Sequence, residues 1–153
     1  MLALTPRDEK VIRTLAQAFL TRGGRVAADH VDARVVERID AWMAQLTPVE
    51  LVKVRALFHM FDFYYAVHAL NPLARMVKAS PDQVSAYLAT WEQSDMYARR
   101  LAFQGVRQII SLAYMEDPSV RQALGIDGSG DAAAHLAQLA EAASLLGDRR
   151  SAS

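Results

Sequence analysis

The stretch from Thr47 to Leu70 is apolar around almost its whole circumference, and nothing else in this chain restricts the fold so much. It opens Thr47-Pro48-Val49-Glu50: a hydroxyl cap, a proline at the first helical position and a carboxylate three residues after the cap, together a strong helix start. At about 100° per residue, Arg55, His59 and Asp62 share one narrow strip, while Val54, Leu57, Phe58, Met60, Phe61, Phe63, Tyr64, Tyr65 and Val67 take most of the rest. Such a helix is not expected on a surface with one face wet. Either other helices wrap it on several sides or another protein covers part of it. Lys53, Arg55 and Asp62 interrupt the apolar run too often for a membrane span.

Capped helices precede and follow it. The first is expected from Thr5-Pro6 to about Arg22, with Val11, Ile12, Leu15, Phe19 and Leu20 on one face and Gly23-Gly24 as its stop. The second, from about Asp32 to Leu46, repeats Val35, Val36, Ile39, Trp42, Met43 and Leu46 at helical spacing. A short turn then leads into the central helix, so the two are expected to pack antiparallel. After the Asn71-Pro72 breaker, Ser80-Pro81-Asp82-Gln83 starts a short helix with Val84, Tyr87, Leu88 and Trp91. Ser94-Asp95 is the expected start of a fifth helix running to about Glu116 as a second core helix, and Asp117-Pro118 caps a brief sixth that Gly125 ends. Four of the five prolines stand at helix starts, and no stretch alternates with the period of a half-buried strand. The expected fold is all-α, a single-domain bundle of six to seven helices, with residues 1–126 as the bundle domain. Residues 127–153 read as a flexible link, a weak alanine-rich helix over 131–146 and a disordered tail.

Composition excludes more functions than it suggests. Lys plus Arg and Asp plus Glu both number 17 in 153 residues, so no excess of either sign argues for nucleic acid or an anionic membrane surface. The absence of cysteine removes disulfides, thiolate metal sites and a cysteine nucleophile. Met1-Leu2-Ala3-Leu4 runs into a capped helix without the pattern of a signal peptide, so the expected location is the cytoplasm, export with a partner aside.

The search for chemistry yields little. Facing Glu-x-x-His pairs, as a di-metal bundle site needs, are missing. Of the four histidines, His30, His59, His68 and His135, His59 and His68 lie half a turn out of phase and cannot ligate one metal from the same helix. His59 and Asp62 have the spacing of a pair; a hydrogen-bonded polar strip between helices is favoured over a metal site. No phosphate loop, dinucleotide fingerprint or nucleophile motif is present. For the aromatics from Phe58 to Tyr65, core packing is the favoured use over an apolar ligand pocket. The few that face outward, Phe63 and Tyr64 among the candidates, suit an interface. On the fifth helix Arg100, Gln104, Arg107, Gln108 and Ser111 form a polar strip. Arg99 lies toward the apolar side, where it needs the rim or a carboxylate, either Asp62 or one on a partner.

Ser80-Pro81, Leu88, Trp91, Ser94, Arg100, Ala102-Phe103, Leu112-Ala113-Tyr114, Asp117-Pro118-Ser119-Val120 and Gly125-Ile126-Asp127-Gly128 form an ordered series. It resembles the gluconate 2-dehydrogenase subunit 3 family, the small helical subunits that accompany flavin-dependent oxidoreductases of the glucose-methanol-choline type. A similar helical segment precedes the flavin domain of long-chain alcohol oxidases. The likeness extends more loosely to Leu4-Thr5-Pro6 and to the helix ending at Leu46. It implies a non-catalytic accessory subunit that binds no cofactor itself, while FAD belongs to the large flavoprotein partner. Arg99, Arg100, Gln104, Arg107, Gln108, Phe63 and Tyr64 are the candidate contacts with that partner. The family's twin-arginine export signal is absent, and Ile126 and Ser129 replace its usual aromatic and proline. The alternative is a self-contained helical module that holds a small apolar ligand or pairs with a second copy through its aromatic face.

Overall fold

Three of the helix starts are closed by the same reciprocal pair of hydrogen bonds. Thr5, Thr47 and Ser80 each accept from the N–H three residues on, and Asp8, Glu50 and Gln83 each reach back to the capping residue's own N–H. A proline follows each cap, where its missing N–H costs nothing. Asp117 caps a fourth start by accepting from Ser119. The computed structural model describes residues 3–20 and 33–126. Its helices are α1 (Pro6–Phe19), α2 (Val35–Met43), α3 (Pro48–His68), α4 (Pro81–Glu92), α5 (Tyr97–Met115) and α6 (Pro118–Ala123), with a 3-10 turn at Met76–Lys78 before α4. The described residues contain no strand, and the fold is all-α.

Several boundaries move for local reasons. α1 ends at Phe19 because Leu20 leaves helical geometry (φ −114°, ψ 58°); Arg22 and Gly23-Gly24 lie outside the described residues. α2 begins only at Val35, since Arg34 is left-handed (φ 49°). α5 begins at Tyr97 rather than Ser94. The Ser94 hydroxyl accepts from Met96 N–H, a local turn that competes with helix, and Met96 is extended. The expected seventh helix over 131–146 lies outside the described residues.

α1, not α3, stands at the centre. It packs against α2, α3, α4, α5 and the 3-10 turn, and Val11, Ile12, Leu15 and Ala16 are wholly buried. α2 packs on α5 and α1 and barely meets α3, against the expected antiparallel pair. At about 1.5 Å per residue α2 is ~14 Å long. The buried positions of α3, which are Phe58, Phe61, Asp62 and Tyr65, begin about 15 Å beyond Pro48. Adjacent helices therefore do not share their apolar lengths. Arg38 ties α2 to the start of α6 through Asp117 at 3.0 Å.

Two helices end in the same C-terminal motif with different residues at its left-handed position. After α6, Gly125 (φ 71°) is followed by Ile126 N–H bonding to Arg121 C=O. After α3, the equivalent bond runs from Asn71 N–H to Ala66 C=O, and the left-handed residue is Leu70 (φ 50°), 93% exposed. Glycine suits this position because a Cβ clashes there. Leu70→Gly is expected to raise stability by about 0.5–1 kcal/mol, after the greater chain entropy of unfolded glycine is offset. Urea unfolding tests this, and a loss of stability would show that leucine is unstrained.

Candidate functional site

The strip of Arg55, His59 and Asp62 turns inward, and its partner comes from 50 residues away. Asp8 of α1, 3% exposed, receives the Thr5 N–H and hydroxyl at 2.7 Å each. Its other oxygen lies 2.6 Å from His59 Nε2, and Arg55 Nε stands 3.2 Å away as an ion pair. Arg55 also donates to Ala3 C=O. Burial alone would push the Asp8 carboxyl up. The Thr5 bonds, the His59 contact and the Arg55 charge outweigh it and hold the group below its ordinary value. The favoured reading of a hydrogen-bonded polar strip between helices is met at His59, which shares a hydrogen bond with Asp8 of α1. Asp62, 2% exposed, has Arg7 at 3.7 Å, and its Oδ1 makes no hydrogen bond among the described residues. Among the described residues no group of three His, Cys, Asp or Glu side chains could hold a metal. His68 lies against Tyr65 and Tyr87, away from His59.

With the polar strip turned toward α1, the apolar side of α3 points outward. Val49, Val52, Ala56, Met60, Phe63, Val67 and Leu70 succeed one another at intervals of three and four residues. All are exposed except the half-buried Met60. Phe63 and Val67 are 63% and 61% exposed. α3 therefore does lie on the surface with one face wet. α5 is likewise buried on one face only, through Phe103, Val106, Ile110 and Ala113, while Leu101 and Leu112 are exposed. Among the described residues no helix is long and apolar enough to cross a membrane.

Two grooves flank the outer stripe and share Val67 as their common wall. One, of about 420 Å³, is formed by Phe63, Ala66, Val67, Leu70, Asn71, Pro72 and Arg75. The other, of about 360 Å³, is formed by Met60, Tyr64, Val67, Trp91, Met96, Ala98 and Arg99. Helical geometry sets Ala66 and Leu70 on one side of Val67 and Met60 and Tyr64 on the other. The grooves thus lie on opposite flanks of one ridge.

Arg99 neither reaches the rim alone nor pairs with Asp62. Its guanidinium lies over the Trp91 ring, 4.8 Å from the centroid, the cation–π contact open to a half-buried arginine. Trp91 is itself buried, 4.4 Å from Phe61 and edge-on to Tyr64 and Tyr87. Tyr87 donates to Phe61 C=O at 2.9 Å, and burial pushes its phenol well above the ordinary range. The other expected contact residues of α5 are exposed. Arg107 pairs with Glu92 at 3.2 Å and Arg100 donates to Ser94 C=O, while Gln104 and Gln108 stand on the outer face beside Leu101 and Leu112. Phe63 and Tyr64 join Arg99 around the ridge; Arg100, Gln104, Arg107 and Gln108 lie along a different helix. Sequence reasoning missed Val49, Val52, Leu70 and Arg75. Their signal was available as the regular three-and-four spacing, but a helix apolar on every side gave no reason to choose that stripe over another.

No family model matches this chain, and neither a curated protein nor a solved structure matches it.

Proposed function

We propose that the chain is a non-catalytic accessory subunit that binds and stabilises the large subunit of a flavin-dependent oxidoreductase of the glucose-methanol-choline type. The observation that carries an accessory role is the outward apolar stripe of α3 with its two grooves. A row of exposed Val, Phe and Leu over about six turns is unfavourable in water and becomes favourable once another protein covers it. The class of partner is supported by the ordered motifs from Ser80 to Gly128 that resemble the small subunits of such enzymes. On this reading FAD and the substrate belong to the partner, this chain holds neither, and the complex assembles in the cytoplasm.

The groove over Trp91 keeps a second reading open, a module that holds a small apolar ligand, since 360 Å³ walled by Met60, Tyr64, Val67 and Met96 has the size of a small-molecule site. Its open side favours a protein surface instead, because such ligands are usually largely enclosed.

Co-expression with a glucose-methanol-choline type flavoprotein large subunit from the same genome tests the reading. The two chains are expected to co-purify, the small chain alone to be colourless, and the soluble flavin-loaded large subunit to fall severalfold when the small chain is omitted. Failure to co-purify, or one equivalent of flavin on the isolated small chain, overturns it.

A further inference from the structure

We infer that the outer stripe of α3 is the seat of an amphipathic helix with acidic flanks, contributed by the partner. The inference rests on the accessory-subunit reading only for which protein carries that helix. Three features of the surface specify its chemistry.

The first is spacing. Intervals of three and four residues, maintained from Val49 to Leu70, match the roughly 3.5-residue repeat by which one helix lies along another. The ridge at Val67 with a groove on either side offers the relief into which side chains of a facing helix insert. An added β-strand needs an unpaired sheet edge, and the described residues contain no strand.

Charge is the second. Arg75 closes one groove and Arg99 the other, and neither side chain has a carboxylate partner among the described residues. Lys53 is an exposed cation on the N-terminal half. There Glu50, three residues before Lys53, keeps its negative charge although it accepts from the Thr47 N–H and hydroxyl at 2.9 and 2.8 Å, so the uncompensated cations are the two arginines at the grooves. The groove-bearing half of the stripe is therefore flanked by two arginines without a carboxylate, which acidic residues at the edges of an incoming helix complement. A second copy would bring the same cations to the same seam.

The third is Leu70. A leucine that is almost fully exposed occupies a backbone position suited to glycine. That arrangement has a purpose if its side chain is an anchor for the incoming helix.

The test uses the full chain and two designed peptides of about three heptads. They carry one identical leucine stripe, flanked by glutamate in the first and by lysine in the second, and are titrated by calorimetry at low salt. The acidic peptide is expected to bind at least about tenfold tighter than the basic one, a difference of ~1.4 kcal/mol. Arg75→Glu with Arg99→Glu is expected to reverse that preference, Val67→Asp to abolish binding of both, and Leu70→Gly to weaken the acidic peptide severalfold. Circular dichroism confirms that each variant remains helical. Equal affinity for both peptides, no binding of either, or an unchanged preference in the double variant overturns the inference. A parent chain that is dimeric by light scattering and becomes monomeric on Val67→Asp assigns the seam to a second copy, and also overturns it. Pull-down of the flavoprotein separates the two readings. Selective peptide binding without recovery of the flavoprotein ends the accessory-subunit reading alone. Equal recovery by the parent and Val67→Asp chains ends the inference about the seam and leaves that reading standing.

Discussion

Asp8→Ala is expected to cost about 3 kcal/mol of folding stability, the lower end of the range for breaking a buried ion pair. The lower end applies because its partners, Arg55 and His59, are each nearly a third exposed, and water takes up part of their charge. The substitution removes the carboxylate that joins α1 to α3 and the back-reaching half of the Thr5 capping box. His59→Ala should cost less, about 1 kcal/mol, because Asp8 then keeps Thr5 and Arg55. The pH dependence follows from the depressed carboxyl. Its contribution is fully present above its ordinary value of 3.8 and is lost as pH falls through the lower folded-state value. Urea unfolding at pH 6 and pH 3 is the measurement. The gap between parent and Asp8→Ala should shrink at the lower pH. A gap below 1 kcal/mol at pH 6, or one equal at both pH values, would show that Asp8 does not hold the strip.

Trp91→Ala is expected to lose about 4 kcal/mol, as is usual for removing a fully buried large aromatic. Trp91 packs on Phe61 and Tyr87 within the core and carries Arg99 on its outer face. One side chain thus supports both the bundle and the wall of a groove. Trp91→Phe should lose much less, about 1 kcal/mol. Its indole N–H, although close to the Tyr87 phenol, makes no hydrogen bond of good geometry among the described residues, so phenylalanine gives up packing volume and no polar partner. Paired urea curves decide it. Similar losses for the two variants would mean that the indole N–H is bonded after all or that phenylalanine cannot keep the ring stack.

Helix identity and helix starts were legible in the sequence because they are set within four residues. Thr5, Thr47, Ser80 and Asp117, each before a proline, determine where helices begin through bonds to their own first turns. The same locality explains the boundary errors. Arg34 and Met96 leave helical geometry at places where sequence pattern alone favoured continuing the helix. Polar pairing along α3 was also legible, since Arg55, His59 and Asp62 share a face by spacing alone.

Which face of α3 is inside was decided only by the tertiary structure. A helix apolar on every side has little amphipathic direction, and a charged strip on such a helix would ordinarily face water. Here Asp8 of α1 accepts from His59 and pairs with Arg55, and Arg7 of α1 stands 3.7 Å from Asp62, so the strip can turn inward with its charges paired. Once the strip is inside, Val49, Val52, Phe63, Val67 and Leu70 have nowhere to go but outward. The sequence determined that α3 exists and which residues travel together on it. The contacts made by Asp8 and Arg7 of α1, with the burial of Phe58, Phe61 and Tyr65, set which of them face the solvent.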